Sequence, residues 1–128
     1  MVHQVTSGIK ISVDHRFEGT FYKDYQLMYA FEYTITIENL SQSEVQLHSR
    51  NWVINDALHI PKVVKGPGVV GLQPHILPGD KHQYTSGCVL HAPFGTMKGY
   101  YLMVNKLTQN VFKVSIPKFQ LFPYHAVN

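Results

Sequence analysis

The sequence predicts an all-β fold, an antiparallel sandwich of about seven short strands, and three observations carry this prediction. Large apolar side chains alternate with polar or small ones from Tyr29 to Glu38, and this period of two is typical of a strand with one buried face. Shorter runs separated by Gly, Pro, Asn or Ser recur at intervals of roughly 8 to 12 residues, as in sandwiches. No window keeps apolar residues at helical spacing over three turns without a Pro or Gly inside it.

The individual strands follow from this alternation and from the turn residues between them. The turn-forming segment 39–44 follows the first long strand, and an extended pattern resumes over 45–54, so these two segments are predicted to pair as a hairpin. The other predicted strands are short and are bounded by Gly, Pro or Asn: 9–13, 62–64, 81–85, 97–104 and 111–116. Because Pro117 lacks an N–H for a sheet ladder, it is predicted to interrupt the last strand, which continues over 118–121.

Composition indicates one folded domain over residues 1–128. A hydrophobic content of 45% and a charged content of 15% supply enough apolar surface for one core. The single cysteine, Cys88, excludes an internal disulfide framework and fits the reducing cytosol. Residues 1–13 contain no continuous apolar segment for export, and no stretch reaches the ~18 apolar residues of a membrane helix. We therefore expect a cytoplasmic protein that does not insert into a membrane.

The charge distribution argues against a nucleic-acid partner. The net charge is +3, and the halves differ: residues 1–60 hold four basic and seven acidic residues, net −3, whereas 61–128 hold seven basic and one acidic, net +6. Arg16 and Arg50 are the only arginines, and no basic run is present. Strands from both halves interleave in a sandwich, so we interpret the lysines as solubilising charge; a basic binding face is the alternative.

The segment 66–71, GPGVVG, matches the spacing Gly-x-Gly-x-x-Gly of dinucleotide-binding loops. Its context differs, because Pro67 removes an amide donor, and Pro74 and Pro78 prevent the helix whose N-terminus would bind a pyrophosphate. We therefore predict a glycine-shaped loop between strands, and binding of a nucleotide or pyrophosphate ranks third among the functions considered. Such a loop is still a candidate binding surface, because Gly and Pro fix its shape at low entropic cost.

Eight histidines are the most unusual feature of the composition. Three of them, His75, His82 and His91, flank the central loops and would form a metal site if they converged. Neutral imidazole suits Co(II) better than Mg(II), which prefers oxygen ligands. None of the eight forms a paired metal-binding motif, so isolated surface histidines are the favoured interpretation and a cobalt-type site is the alternative.

No combination of residues predicts an enzyme or a bound cofactor. Ser49, Ser86 and Cys88 are candidate nucleophiles, but no nucleophile-elbow motif surrounds them and no base is positioned by the sequence. The few carboxylates are dispersed, so no acid and base pair is indicated. Arg50 and Asp56, six residues apart, are expected on one face of the Trp52 strand in ordinary surface ion pairs.

Several sequence blocks, in order and with their spacing, resemble the ApaG family over residues 5–123. They are YAFEYTITIEN at 29–39, RNWVIND at 50–56, GPGVVG at 66–71 followed by YTSGC at 84–88, PFGTMKGYYLM at 93–103 and FKVSIPKFQL at 112–121. The resemblance implies a fibronectin-III-like or immunoglobulin-like sandwich. It also implies an indirect link to cobalt and magnesium efflux or cobalt resistance. In larger eukaryotic relatives, including an F-box protein and a polymerase-δ-interacting protein, the domain is an interaction module.

The resulting functional prediction is a non-catalytic, cytosolic protein-binding domain. Its contact surface is expected on the glycine-rich loop and the strand after it, at Gly66, Gly68, Val69, Val70, Gly71, Leu72, Pro74, Tyr84 and Ser86. A protein partner is the first expectation. An exposed edge strand would also allow a homodimer to form.

Overall fold

The computed structural model describes residues 1–123, which form two packed antiparallel sheets, and no membrane-spanning helix is present in that range. Nine strands follow in chain order: β1 Val2–Thr6, β2 Ile9–Lys23, β3 Gln26–Asn39, β4 Val45–Asp56, β5 Lys62–Pro67, β6 His75–Ile76, β7 Lys81–Leu90, β8 Gly95–Asn105 and β9 Val111–Leu121. The first sheet has the order β1-β2-β3-β7 and the second β5-β4-β8-β9, with β6 paired to β4. The predicted sandwich is confirmed. The strand count is higher than predicted because β1 and the two-residue β6 carry no clear alternation.

The predicted hairpin between the two long strands is wrong, because β3 and β4 lie in different sheets. The corner between them is built on Asn39, whose side chain is completely buried. Its amide nitrogen donates to the carbonyl oxygens of Ser43 at 2.8 Å and Ile76 at 2.9 Å, and its Oδ1 accepts the Ser41 N–H at 2.9 Å. These bonds fix a turn that carries the chain across to the second sheet instead of back along β3.

Strand β9 continues through Pro117, contrary to the predicted interruption. The register between β8 and β9 shifts there, since Met97 pairs with Phe119 whereas Gly99 pairs with Ile116. This irregularity places two residues of β9, one of them Pro117, opposite a single residue of β8. A bulge leaves its extra residue out of the ladder, so the missing N–H of proline costs no sheet hydrogen bond.

Inward-facing side chains of both sheets form one apolar core. Three aromatic rings lie at its centre, with ring centroids 5.5 Å apart for Tyr33 and Trp52, 6.0 Å for Tyr33 and Phe119, and 6.1 Å for Trp52 and Phe119. The alternation in β3 buries Tyr33, Ile35 and Ile37 on one face, as the sequence predicts. These contacts join residues of β3, β4 and β9 and therefore hold the two sheets together.

The two sides of the sandwich differ. On one side, which we call the closed edge, β1 and β2 both lie against β9, and Val13, Ile116 and Phe119 are buried there. On the other side, which we call the open edge, a cleft of about 720 Å³ lies between β7 and the pair β4 and β5. The predicted loop surface adjoins this open edge.

Candidate functional site

The glycine loop, residues 66–74, is braced by its own backbone and by β4. Gly68 donates its N–H to the His48 carbonyl at 2.9 Å. Val69 and Leu72 exchange two backbone hydrogen bonds, 2.8 Å from the Val69 N–H and 3.0 Å from the Leu72 N–H. The Gln73 side chain donates to the same His48 carbonyl at 2.9 Å. The loop is therefore a tight, internally bonded turn.

Each glycine of the Gly-x-Gly-x-x-Gly spacing is favoured at its position by a different feature of the local structure. Gly66 lies opposite Arg50, and a Cβ at Gly66 would come within 3.1 Å of the guanidinium group. Gly68 has a φ of +61°, and a Cβ there would overlap the carbonyl oxygen of Leu72. Gly71 has a φ of +78°, a conformation that favours glycine. The motif therefore follows from loop geometry without any bound nucleotide.

Arg50 holds the start of the loop. One guanidinium nitrogen, Nη1, donates to the carbonyl oxygens of Pro67 and Gly68, both at 2.9 Å. The expected surface ion pair at Arg50 is therefore replaced by a brace between β4 and the loop. The N–H groups of Gly68, Val69 and Leu72 are committed to carbonyl oxygens, so they are not converged on an anion as in a phosphate loop.

Only some of the residues predicted to contact a partner have exposed side chains. Val70 and Leu72 are exposed, by 62% and 56%, whereas Val69 is 1% exposed and Tyr84 9%. Val69 packs into the core, and the Tyr84 hydroxyl lies 2.5 Å from that of Tyr101 across the two sheets. Burial raises the pKa of both tyrosines. Val69 and Tyr84 thus stabilise the fold, and their side chains are not available to a partner.

The two other predicted contact residues lie at the borders of the surface. Pro74 is half-buried, and its carbonyl accepts the Leu47 N–H at 3.0 Å, which fixes the end of the loop. Ser86 is half-buried on β7, bonds to the Tyr33 hydroxyl and lines the cleft. Ser86 therefore belongs to the cleft rather than to the loop.

The three histidines of the predicted metal site do not converge. His75 Nδ1 is 2.7 Å from Glu44 Oε2, and His91 Nδ1 is 2.9 Å from Asp56 Oδ2. His82 and His91 lie near opposite ends of β7, nine residues or about 30 Å apart along the strand. Within residues 1–123 no group of three or more His, Cys, Asp or Glu side chains could hold a metal ion. The proposed cobalt-type site is therefore not formed by these residues.

The cleft at the open edge was not predicted from the sequence. Trp52, Tyr33 and Met97 are almost fully buried at its base, and Ile54 of β4 and Val64 of β5 line it while only half-buried. Its volume lies in the usual range for ligand pockets. Alternation in β4 and β5 predicts which side chains point inward, but not that β5 has no facing strand in the described part of the chain. The sequence therefore carried no signal for this cavity.

Basic groups surround the cleft. Arg50 and Lys62 line it together with His59 and His91, whose rings stack with centroids 4.4 Å apart. Asp56 is the only carboxylate that lines it among the described residues. This composition makes the cleft suited to an anionic group joined to an apolar one.

Asp56 pairs with His91, whose Nδ1 is 2.9 Å from Asp56 Oδ2, but the Asp56 side chain is only 8% exposed, so this is a largely buried pair rather than the expected surface ion pair. Its Oδ2 accepts the His91 N–H at 2.6 Å, and its Oδ1 accepts the N–H groups of Ala92 at 3.0 Å and Leu58 at 3.3 Å. Burial by itself would raise the pKa of Asp56, but the hydrogen bonds from His91, Leu58 and Ala92 outweigh it and lower the pKa. Asp56 therefore joins the turn after β4 to the turn after β7.

Two of the three candidate nucleophiles, Ser86 and Cys88, line the cleft, whereas Ser49 does not. Burial raises the pKa of the Cys88 thiol to about 11, so the thiol stays protonated at neutral pH. Ser86 bonds to the Tyr33 hydroxyl, which is not a general base at neutral pH. The geometry therefore supports binding better than nucleophilic catalysis.

Comparisons with known proteins identify the family of this chain and agree with its fold. Residues 19–105 match the family model described as the ApaG domain. Protein ApaG of Cronobacter sakazakii is 48% identical over 93 residues, 73% of this chain and 74% of that protein. Protein ApaG of Shewanella denitrificans is 46% identical over 114 residues, 89% and 90% of the two chains.

Solved structures extend the similarity to the whole sandwich. The crystal structure of an ApaA protein from Bordetella pertussis has a TM-score of 0.82 and 38% identity, covering 89% of this chain and 92% of that one. An X-ray structure of a structural genomics target has a TM-score of 0.85 and 39% identity, covering 90% of this chain and 86% of that one. Sequence and structure thus agree, and this chain belongs to the ApaG domain family.

Proposed function

We propose that this chain is a protein-binding domain without a catalytic role, which works in the cytosol and contacts its partner through the glycine loop. The observation that carries this proposal is the exposure of Val70 and Leu72 on a loop braced by Arg50. Apolar side chains on a pre-ordered loop lose little conformational entropy on binding, so they contribute more of their burial to affinity.

The chemistry of the described residues supports a binding role. Cys88 is buried with a raised pKa, and Asp56 is occupied by hydrogen bonds to two turns. On this proposal, any connection with cobalt or magnesium efflux runs through the partner protein, because His75, His82 and His91 lie apart. The single buried thiol also fits the reducing cytosol.

The proposal is tested by placing a charge on the loop surface. We expect the double variant Val70→Asp, Leu72→Asp to lose a partner that the unmodified protein recovers from a lysate of its own organism. With the purified partner, calorimetry should show at least a tenfold loss of affinity, because each carboxylate would be buried against an apolar surface.

Leu107→Asp is the matched control. Leu107 is 81% exposed and lies in the turn between β8 and β9, outside the glycine loop. This variant should bind the partner with unchanged affinity. The proposal fails if no recovered protein depends on Val70 and Leu72, or if Leu107→Asp weakens binding equally.

A further inference from the structure

Two edge strands border the cleft, and they differ in how they are protected. Edge strands are usually blunted by charged side chains or proline, because their unpaired N–H and C=O groups can recruit another strand. β5 carries Lys62, Lys65 and Pro67, which provide that protection. β7 contains no charged residue and no proline from position 83 to 90. Among the described residues β7 pairs only with β3, so its outer backbone groups are free to accept a strand.

The second sheet extends beyond the first at this edge. Trp52 of β4 is 2% exposed, whereas Val64, its neighbour across the ladder in β5, is only half-buried. Both side chains line the cleft. A strand added to the outer edge of β7 would lie opposite β5, at the separation of about 10 Å usual for packed sheets. It would cover Val64, as the first sheet covers Trp52 through Tyr33 of β3.

Two cations lie on the same inward face as these apolar side chains. Arg50 pairs with Gly66, Trp52 with Val64, and Ile54 with Lys62, so the cations lie on either side of the Trp52 and Val64 pair. Four residues separate Arg50 from Ile54, a distance of about 13 Å along a strand. Asp56 contacts His91 and the backbone of two turns, and within residues 1–123 it forms no ion pair with Arg50 or Lys62, which leaves both cations available to a carboxylate of a ligand.

We propose that the outer edge of β7 accepts an extended segment of another protein as an added strand. The segment carries an apolar side chain flanked, two residues away on each side, by carboxylates. All three side chains then point to one face of the added strand. The apolar side chain enters the cleft over Trp52 and Val64, and the carboxylates reach Arg50 and Lys62. This site is distinct from the exposed side chains of the glycine loop.

Charge distinguishes this occupant from a second copy of the chain. β7 has no carboxylate of its own, so pairing two β7 edges would bring Arg50 and Lys62 of both copies together, and the one carboxylate of each described cleft, Asp56, is already paired with His91. The protein also has a net charge of +3. Like charges across an interface disfavour association, whereas an acidic segment is attracted to the same cations.

The test uses a fluorescein-labelled synthetic peptide of the length of β7, 10 residues. Its centre is Glu-Thr-Phe-Thr-Glu, which places both glutamates and the phenylalanine on one face. The first control peptide tests the position of the charge: one glutamate exchanges places with its neighbouring threonine, so that its carboxylate points to the opposite face. The second control peptide tests strand pairing: alternate backbone amides are N-methylated to remove the donors that a strand ladder needs. Fluorescence anisotropy should show saturable binding of the first peptide and at least tenfold weaker binding of both controls.

Two lysines of β5 provide a matched pair of protein variants. Lys62→Glu changes the charge in the cleft, and Lys65→Glu makes the same change three residues away on the outward face. Affinity for the peptide should fall about tenfold in the first variant and less than twofold in the second. The variant Val70→Asp, Leu72→Asp should bind the peptide normally, which separates this result from failure of the glycine-loop proposal.

Three results would overturn the inference. One is an absence of saturable binding of the first peptide at millimolar concentration. Another is a lack of discrimination, seen either as an equal effect of Lys62→Glu and Lys65→Glu on affinity or as equal binding of the three peptides. The third is a dimer in sedimentation equilibrium that the peptide does not dissociate, since the edge of β7 would then be covered by a second copy.

Discussion

The closed and open edges of this sandwich are built from strands of the same kind but have different surroundings. At the closed edge, β1 and β2 cover β9, and Ile116 and Phe119 are buried. At the open edge no strand within residues 1–123 covers β5, and Ile54 and Val64 stay half-buried beside cationic side chains. Burial of apolar side chains at the closed edge therefore stabilises the fold, whereas the open edge leaves apolar surface available to a ligand.

The aromatic cluster explains how one edge can remain open. Tyr33, Trp52 and Phe119 contact one another across the sheets, so the base of the cleft is itself part of a packed core. The bonded hydroxyls of Tyr84 and Tyr101 add a polar link between β7 and β8. Substitutions of side chains at the open edge should therefore lower the stability of the fold less than substitutions at the closed edge.

The largest expected effect compares the same substitution in the two regions. Ile11 of β2 is fully buried, and Ile11→Ala should lower the free energy of unfolding by about 3–4 kcal/mol through lost burial and a residual cavity. Ile54 already contacts the cleft, and Ile54→Ala should cost about 1 kcal/mol, since less surface is lost and solvent can fill the space. Urea titrations at constant pH measure both values.

Equal costs for the two substitutions would contradict the comparison. That result would mean that the cleft closes in solution and that Ile54 is packed as tightly as Ile11. The slope of the urea transition serves as a control, because an altered slope indicates a change in the unfolded state rather than in packing.

The sequence predicted the fold class because strand periodicity is a local property. Alternation in β3 shows which side chains are buried, but a period of two does not say which strand lies beside it. The pairing of β3 and β4 was therefore predicted wrongly. The corner depends on hydrogen bonds from Asn39 to Ile76, 37 residues later, and no local pattern shows such a bond.

The candidate site was only partly predictable for the same reason. Glycines and prolines indicated a shaped loop at 66–74, and the loop is indeed tightly bonded. Its brace from Arg50 and the burial of Val69 depend on the neighbouring strand. The cleft forms because none of the nine described strands lies opposite β5, which is a property of the completed topology. Such a site becomes visible only after the strands are arranged.

An intermediate effect is expected at the glycine loop, on the side of the open edge. Gly68→Ala should cost about 2 kcal/mol or more, because a positive φ is combined with overlap of the Leu72 carbonyl. Gly71 has a positive φ but no atom within 4 Å of an added Cβ, so Gly71→Ala should cost about 1 kcal/mol. Thermal melts of the two variants measure the difference.

The same variants distinguish a structural loop from a nucleotide site. We expect no binding of ATP, GTP, NAD or diadenosine polyphosphates in equilibrium dialysis, because Pro67 lacks a donor and the loop is followed by the strand β6 and not by a helix N-terminus. Micromolar nucleotide binding by the unmodified protein, together with unchanged melting temperatures in the variants, would contradict this interpretation.

The smallest effect concerns Cys88, which lines the cleft but is only 9% exposed. Burial raises the pKa of its thiol from 9.0 to about 11, so above pH 9 the unfolded chain loses this proton before the folded one does. Folding then retains a proton, and stability falls as pH rises, by about 1 kcal/mol between pH 9 and pH 10. Tyr84 and Tyr101, also with raised pKa values, add to the loss mainly above pH 10.

Urea titrations at pH 8, 9 and 10 measure the free energy of unfolding of the unmodified protein and of Cys88→Ala. This free energy should fall more steeply with pH in the unmodified protein. The cavity left by alanine lowers the stability of the variant at every pH, so it does not affect this difference in slope. If the stability of the two proteins fell with pH at the same rate, water in the cleft would reach the thiol and the open edge would extend deeper than Cys88.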